Sequence, residues 1–288
     1  MIQDIFPSKL NNQFEFAVLS DDDFVFVFDR EGRVLLGENG ENEPDDSDNE
    51  TKKSKKARFL TGRDLGGCNA VYLFSMDEKR FFLATDVKDF EKEGFSYYTI
   101  REARDNFGGK EIFATFTAYH LNKWYTDNVF CGRCGSKTVP SEKERALKCP
   151  GCGNVIYPRI NPAVIVGVIK GDKILITRYN RGYAHNALVA GFAEIGETLE
   201  ETVAREVMEE TGVKVKNIRY YKSQPWGMAE DILTGFFCEA DGEGRIVMDE
   251  NELKYAEWVE RKDIVLQPNN LSLTNEMMRV FKEGKISL

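Results

Sequence analysis

The stretch GFAEIGETLEETVAREVMEETGV, Gly191 to Val213, carries the densest pattern in the chain. It sets Glu197, Arg205, Glu206, Glu209 and Glu210 at fixed spacings between Gly191 and Gly212. Thr198, with Glu201 three residues on, is a capping box, so a helix starts there. Gly212 stands where a helix ends in a left-handed residue. At about 100° per residue, Glu206, Glu209 and Glu210 share an arc roughly 100° wide, beside an apolar arc of Val203, Ala204 and Val207. Like charges this close destabilise a bare helix. A bound hard cation is the usual compensation, and magnesium or manganese prefers oxygen ligands of this kind. A helix with a merely solvated acidic face accounts for the paired glutamates, but not for Gly191, Gly212 and Glu197 at those offsets.

On either side of this stretch the pattern alternates between strand and helix. Ala163–Lys170 and Lys173–Arg178 read as two strands joined by the turn Gly171-Asp172. Ile218–Lys222, Ile232–Cys238 and Ala256–Val259 are further strands, and Leu273–Lys282 is a final amphipathic helix through Leu273, Met277, Val280 and Phe281. Such alternation implies α/β/α layering. Upstream, Cys131-Gly-Arg-Cys134 and Cys149-Pro-Gly-Cys152 are two knuckles of two thiols each. Four thiolates at this spacing make a closed tetrahedral site for one zinc ion per chain, structural because no coordination position stays open. Gly135 and Gly153 suit the tight turns after each pair.

Residues 1–125 read as a β-rich domain. Phe14–Val18, Phe24–Phe28, Ala70–Phe74 and Arg80–Ala84 are strand-like, and Ile112–Tyr125 is a helix with Phe113, Phe116, His120 and Trp124 on one face. His120 is expected to be a packed core histidine, while His185 lies in the polar loop Asn180 to Asn186, where sequence alone assigns it no role. The segment 37–56 is an acidic block followed by a basic one with no large apolar residue, and is expected to be a mobile solvated loop. The zinc ribbon spans 126–157 and the layered domain 158–288. The fold class is therefore α+β: a β-rich N-terminal domain, a zinc ribbon, and an α/β/α sandwich with a mixed sheet.

The chain has 288 residues, 42% hydrophobic and 30% charged, the composition of a globular protein. No apolar run approaches the roughly 20 residues of a membrane span, and the N-terminus lacks signal-peptide character, so a cytoplasmic protein with no membrane partner is expected. The net charge of −9 argues against broad electrostatic binding of nucleic acid. It leaves room for an RNA end held in a cation-lined pocket. Paired cysteines in a reducing compartment favour metal over disulfide.

The complete 191–213 pattern resembles the Nudix box, whose many fixed positions make it a specific motif. With the four-cysteine ribbon before Tyr157–Ile165, and Ser223-Gln224-Pro225-Trp226 after the box, the chain resembles the bacterial NudC-type NAD(H) pyrophosphatases over roughly residues 100–280. That resemblance implies metal-dependent hydrolysis of the NADH or NAD diphosphate to nicotinamide mononucleotide and AMP, removal of NAD caps from RNA 5′ ends as an alternative, and a homodimer. It implies that Glu206 and Glu210 hold Mg2+ or Mn2+, with Glu209 as ligand or base, the Ala190 carbonyl completing a shell, and Glu252 joining. Gly191, Glu197, Arg205 and Gly212 are structural, with Arg205 paired to Glu197. Tyr157 and Phe192 are implied to stack on a flat ring. Gln224, Pro225, Trp226, Gly227, Met228, Ala229, Glu230 and Asp231 line the nucleotide pocket, with Glu144, Arg101 and Thr274 as further contacts. The family continues SQPW as PFP, whereas this chain has Gly227-Met228-Ala229. The departure bears on the choice among NADH, NAD and ADP-ribose. A non-catalytic nucleotide sensor is expected to have lost box carboxylates, and this chain keeps all four.

Overall fold

The alternation in Asn161–Lys170 (β1) puts Val164, Val166 and Val168 on one face and Ala163, Ile165 and Ile169 on the other, all of them buried. A strand buried on both faces needs a layer on each side. The computed structural model, which describes residues 1–42, 55–180 and 185–286, supplies both. Around β1 lie Lys173–Tyr179 (β2), Val189–Phe192 (β3), Val215–Trp226 (β4), Asp231–Ala240 (β5) and Leu253–Glu260 (β6). The sheet order is β4-β5-β1-β2-β6, with β3 also paired to β1. The β1–β5 pair is parallel and the others antiparallel, so the sheet is mixed.

Helix Leu199–Thr211 (α1) covers the valine face, burying Val203 and Val207 with Leu175 and Phe236. Helix Leu273–Lys282 (α2) covers the other, burying Leu273, Met277 and Phe281. Each fully buried side chain of this size contributes about 1.5–3 kcal/mol. Ala204, expected on the apolar arc, is exposed; α1 touches the sheet along the narrower stripe of Val203 and Val207. Thr198 accepts from the Glu201 amide at 3.2 Å, and Gly212 ends α1 at φ 67°.

This layered unit comprises Met1–Ile2, Ile160–Trp226 and Asp231–Leu288; a second comprises Gln3–Arg159 and Gly227–Glu230. In the second, Phe24–Phe26, Ala70–Met76 and Lys79–Ala84 are strands of a five-stranded sheet, packed around Val25, Leu60, Tyr72 and Phe82. Phe14–Val18 is not a strand: Phe16 and Val18 are exposed, so their apolar character is not spent on a sheet. The ends of the 37–56 segment are also ordered differently from expectation. Val34–Asn42 and Lys55–Arg58 pair antiparallel, because a ladder is satisfied by main-chain groups whatever the side chains. Residues 43–54 lie outside the described residues. The helix Gly109–Asp127 buries Phe116 and Trp124. His120 on that helix is half-buried rather than core, and its Nε2 lies 2.8 Å from the Arg159 carbonyl oxygen. Among the described residues no helix is long and apolar enough to cross a membrane.

Gly167 in β1 lies under the Phe237 ring, and a Cβ there would stand 2.6 Å from two ring carbons. Gly167→Ala should therefore destabilise the protein by about 1–3 kcal/mol through overpacking, read as a lower denaturant midpoint at unchanged slope.

Candidate active site

Strand β3 delivers Ala190, Gly191 and Phe192 beside the last two turns of α1. Gly191 is there for space: a Cβ would lie 1.9 Å from Cδ of Glu206. The carboxylate of Glu206 thus occupies the volume that any other residue would fill. Arg205 organises the surroundings. Its Nε and Nη2 donate to the two oxygens of Glu197 at 2.6 and 2.9 Å, and Nη2 also reaches the Phe192 carbonyl at 3.0 Å. Its Nη1 donates to Glu206 at 2.8 Å and to Glu209 at 2.9 Å. The bidentate pair holds the Glu197 carboxyl down at about 2, as a forked guanidinium does. Glu197 also accepts from Thr202 at 3.0 Å and from the Glu194 amide at 3.1 Å, closing the loop before α1.

The inner carboxylates behave oppositely. Glu210 is 2% exposed, and burial, with the charges of Glu206, Glu252 and Asp249 adding, pushes its carboxyl up to about 8. Burial likewise raises Glu206, helped by Glu209 and Glu252. Glu252, on an exposed turn, and Glu209, on the outer side of α1, therefore share one negative field with the half-buried Glu206 and the buried Glu210. A pocket of mutually repelling carboxylates, with a glycine cradle beside it, fits a hard divalent cation. Among the described residues only the cysteines bring three or more ligand atoms within 4.8 Å of one another; Arg205 sits between Glu206 and Glu209.

One residue at this site escaped sequence reasoning. The hydroxyl of Tyr179, at the end of β2, donates toward Glu210 at 3.0 and 3.2 Å to its two oxygens, and accepts from the Ala190 amide at 2.9 Å. The usable signal was the period of two in KILITRY, which places Tyr179 on the face of Leu175 and Thr177.

The stretch after the box is divided in its duties. Gln224 is fully buried, accepting from the Leu273 amide at 2.7 Å and donating to the Leu271 carbonyl at 2.8 Å, so it fixes the start of α2 and with it Thr274. Trp226 packs against the α2-side core, and Pro225 is exposed. Gly227–Glu230 belongs to the second unit, where a Cβ on Gly227 would stand 2.2 Å from the Phe116 carbonyl oxygen. Met228 is half-buried and Ala229 exposed. Glu230 is held at 3.0 Å by Lys123 and 2.9 Å by Arg159; burial opposes its charge, but the two cations keep its carboxyl below the ordinary range. Asp231 is 6% exposed, its Oδ1 has no hydrogen-bond partner, and burial pushes its carboxyl up to about 7. Phe192 is 52% exposed at the end of β3. In the second unit, Tyr157 donates to Glu144 at 3.1 Å, and Arg101 is exposed on the helix Ile100–Asn106.

The four cysteines form the other centre. The Sγ atoms of Cys131 and Cys152 are 3.7 Å apart, and those of Cys134 and Cys149 are 3.4 Å apart. These lengths exceed a disulfide's roughly 2 Å and match the roughly 3.8 Å edge of a tetrahedron with about 2.3 Å metal–sulfur bonds. Gly135 and Gly153, at φ 76° and 73°, return their amides to the Cys131 and Cys149 carbonyls. The Arg133 amide points at the Cys131 sulfur at 3.4 Å. This donor set fits structural zinc.

Residues 159–281 match the NUDIX domain family, and residues 127–157 match the NADH pyrophosphatase zinc ribbon domain. The chain carries a NUDIX domain directly behind a zinc ribbon of that type. Among individual proteins, it is 46% identical over 150 residues to the NAD-capped RNA hydrolase NudC of Salmonella typhi, and 45% identical to that of Escherichia coli O1:K1 / APEC. Each alignment covers 51% of this chain and 58% of the relative, so the chain spans little more than half the length of the curated relatives it matches. A NUDIX hydrolase structure from Nitrosomonas europaea aligns at a TM-score of 0.46 and 21% identity, over 54% of this chain and 90% of that one.

Two outcomes test the electrostatics and the zinc. The Asp231 carboxyl titrates at about 7 in the folded chain against an ordinary 3.8. As pH rises between those values the unfolded chain ionises first, so stability falls across that window and levels off above it. Asp231→Asn should flatten this loss, on the order of 3 kcal/mol, in urea unfolding measured from pH 4 to pH 8. Cys149→Ser should leave the purified protein without its zinc by elemental analysis and lower its melting temperature.

Proposed function

We propose that this chain is a metal-dependent NAD(H) diphosphatase, cleaving the diphosphate of NADH or NAD to nicotinamide mononucleotide and AMP. The observation that carries it is the half-buried Glu206 beside the buried Glu210, framed by Gly191 and Arg205, in a chain that also carries the NADH pyrophosphatase type of zinc ribbon. Glu206, Glu210 and the Ala190 carbonyl would hold magnesium or manganese, with Glu209 and Glu252 at the rim. A cation bound there supplies charge neutralisation of the diphosphate oxygens and a lowered pKa for water. Glu209, the outermost of the three helix carboxylates, would be either a metal ligand or the base that orients the attacking water. Arg205 bridges Glu206 and Glu209 and fixes the box loop. Phe192 offers an exposed ring face for a base or nicotinamide, and Thr274, at the start of α2, would be a further substrate contact.

The relatives' names favour a second reading, hydrolysis of NAD-capped RNA. The bond cleaved is the same; only the group beyond the adenosine differs. The excess of acidic residues, 48 against 39 basic, supports the free dinucleotide as the main substrate. A cytoplasmic homodimer is part of the proposal; the lack of a disulfide among the described cysteines suits a reducing compartment.

Purified protein given NADH and Mn2+ should release reduced nicotinamide mononucleotide and AMP, resolved by chromatography. Glu210→Gln should lower turnover by at least about 100-fold, since changes merely next to a ligand already cost 10–100-fold. Full turnover in that variant would overturn the ligand assignment. A comparison of kcat/KM on NADH, NAD, ADP-ribose and NAD-capped RNA ranks the substrates.

A further inference from the structure

A phenol hydroxyl has one proton to give and two lone pairs to receive with. At Tyr179 both functions are engaged, and at the proposed metal site. The Ala190 amide donates to the phenol oxygen at 2.9 Å, which leaves the proton for an acceptor. The nearest acceptors are the two oxygens of Glu210, at 3.0 and 3.2 Å, with the Ala190 carbonyl farther off at 3.3 Å. Among the described residues, no other group makes a hydrogen bond to the Glu210 carboxylate. A carboxylate that is 2% exposed therefore takes its orientation from one phenol.

The backbone is arranged for this contact. Ala190 is fixed in β3 by its pairing with Ile165 of β1. Tyr179 sits at a break in register of the β2–β6 ladder, between Arg178 and Tyr179. Such bulges re-aim a side chain relative to an unbroken strand. The strand before the break carries Leu175 and Thr177, both fully buried, so the ring enters from a rigid base. Tyr179 reaches across to a residue of β3 and a residue of α1, elements that also meet through Val189, Val203 and Val207 in the core, the glycine cradle and the Arg205–Phe192 contact.

We infer that Tyr179 is a positioning residue: its hydroxyl locks the Glu210 carboxylate and the Ala190 peptide into one orientation, so that the two present their oxygens to a divalent cation together. The inference rests on the reading of Glu210 and Ala190 as metal ligands, and it assigns Tyr179 no contact with substrate. Partners of this kind, one bond behind the ligands, fix ligand geometry before the metal arrives. Ring burial alone would need no hydroxyl.

The test is Mn2+ binding by the full-length, zinc-loaded protein, followed by the electron paramagnetic resonance of free Mn2+ and without substrate. Tyr179→Phe keeps the ring and removes the hydroxyl. It should weaken Mn2+ binding by about 10–100-fold while the thermal unfolding transition stays cooperative. Because Tyr179 acts through Glu210, the same change made in a Glu210→Gln background should cost less than about threefold, the non-additivity expected of coupled residues. At saturating Mn2+ the Tyr179→Phe protein should recover most of its kcat on NADH. Mn2+ affinity within about twofold of the parent, or an equal loss in both backgrounds, overturns the inference. Should the phenylalanine variant fail to fold, Tyr179→Met fills the same space without a hydroxyl and carries the same two outcomes. A parent that binds Mn2+ but leaves NADH intact defeats the proposed activity and leaves the Tyr179 comparison standing. A parent that binds no Mn2+ defeats both.

Discussion

The guanidinium of Arg205 is the contact on which the site depends. It donates to three carboxylates and one carbonyl, tying the loop before α1, the end of β3 and the acidic face of α1 into one body. Without a fixed positive charge there, Glu206 and Glu209 would repel each other across one helical turn. A lysine carries the same charge but not the planar fork that grips both oxygens of Glu197 while still reaching Glu206. The pair also explains why Gly191 matters: Arg205 pins Glu206 in place, and only a glycine leaves the carboxylate room.

Much of this was legible before any coordinates. The capping box at Thr198, the left-handed stop at Gly212 and the bounds of the last helix follow from local chemistry that hydrogen-bonds within a few residues. The core strands were readable because a sheet covered on both faces requires continuous apolar runs, and Ala163–Lys170 is one. The paired cysteines were readable because ligand spacing is set by the tetrahedron. What stayed hidden depended on partners distant in sequence. Nothing local distinguishes Phe14–Val18, left exposed, from Phe24–Phe26, paired on both sides. Polar residues 37–42 join a ladder because main-chain groups supply the bonds. Tyr179 meets Ala190 and Glu210 only because three elements converge. Gln224 looked like a pocket residue, yet its amide is spent on the start of α2.

Three of the buried carboxyls, Glu230, Glu210 and Asp231, are accommodated by different means. Glu230 keeps its charge with two cations, Lys123 and Arg159. Glu210 has a single phenol and a crowd of like charges, and so retains its proton well above the usual range. Asp231 has an oxygen with no partner at all. The desolvation cost is comparable in kind at each, and only at Glu230 is it offset within the protein. The other two store free energy that a positively charged or proton-donating ligand would release.

The four residues Gly227–Glu230 have a consequence for how the molecule comes apart. The polypeptide leaves the layered unit after Trp226, gives four residues to the other, and returns at Asp231. The run from Ile160 to Leu288 is thus interrupted once, at four residues that pack with the other unit's own. Cut away from Gln3–Arg159, the segment Gly227–Glu230 would lose both cations that hold Glu230, Lys123 and Arg159. Phe116, His120 and Lys123 all meet this segment, so a substitution at any of them bears directly on the residues that follow the SQPW sequence.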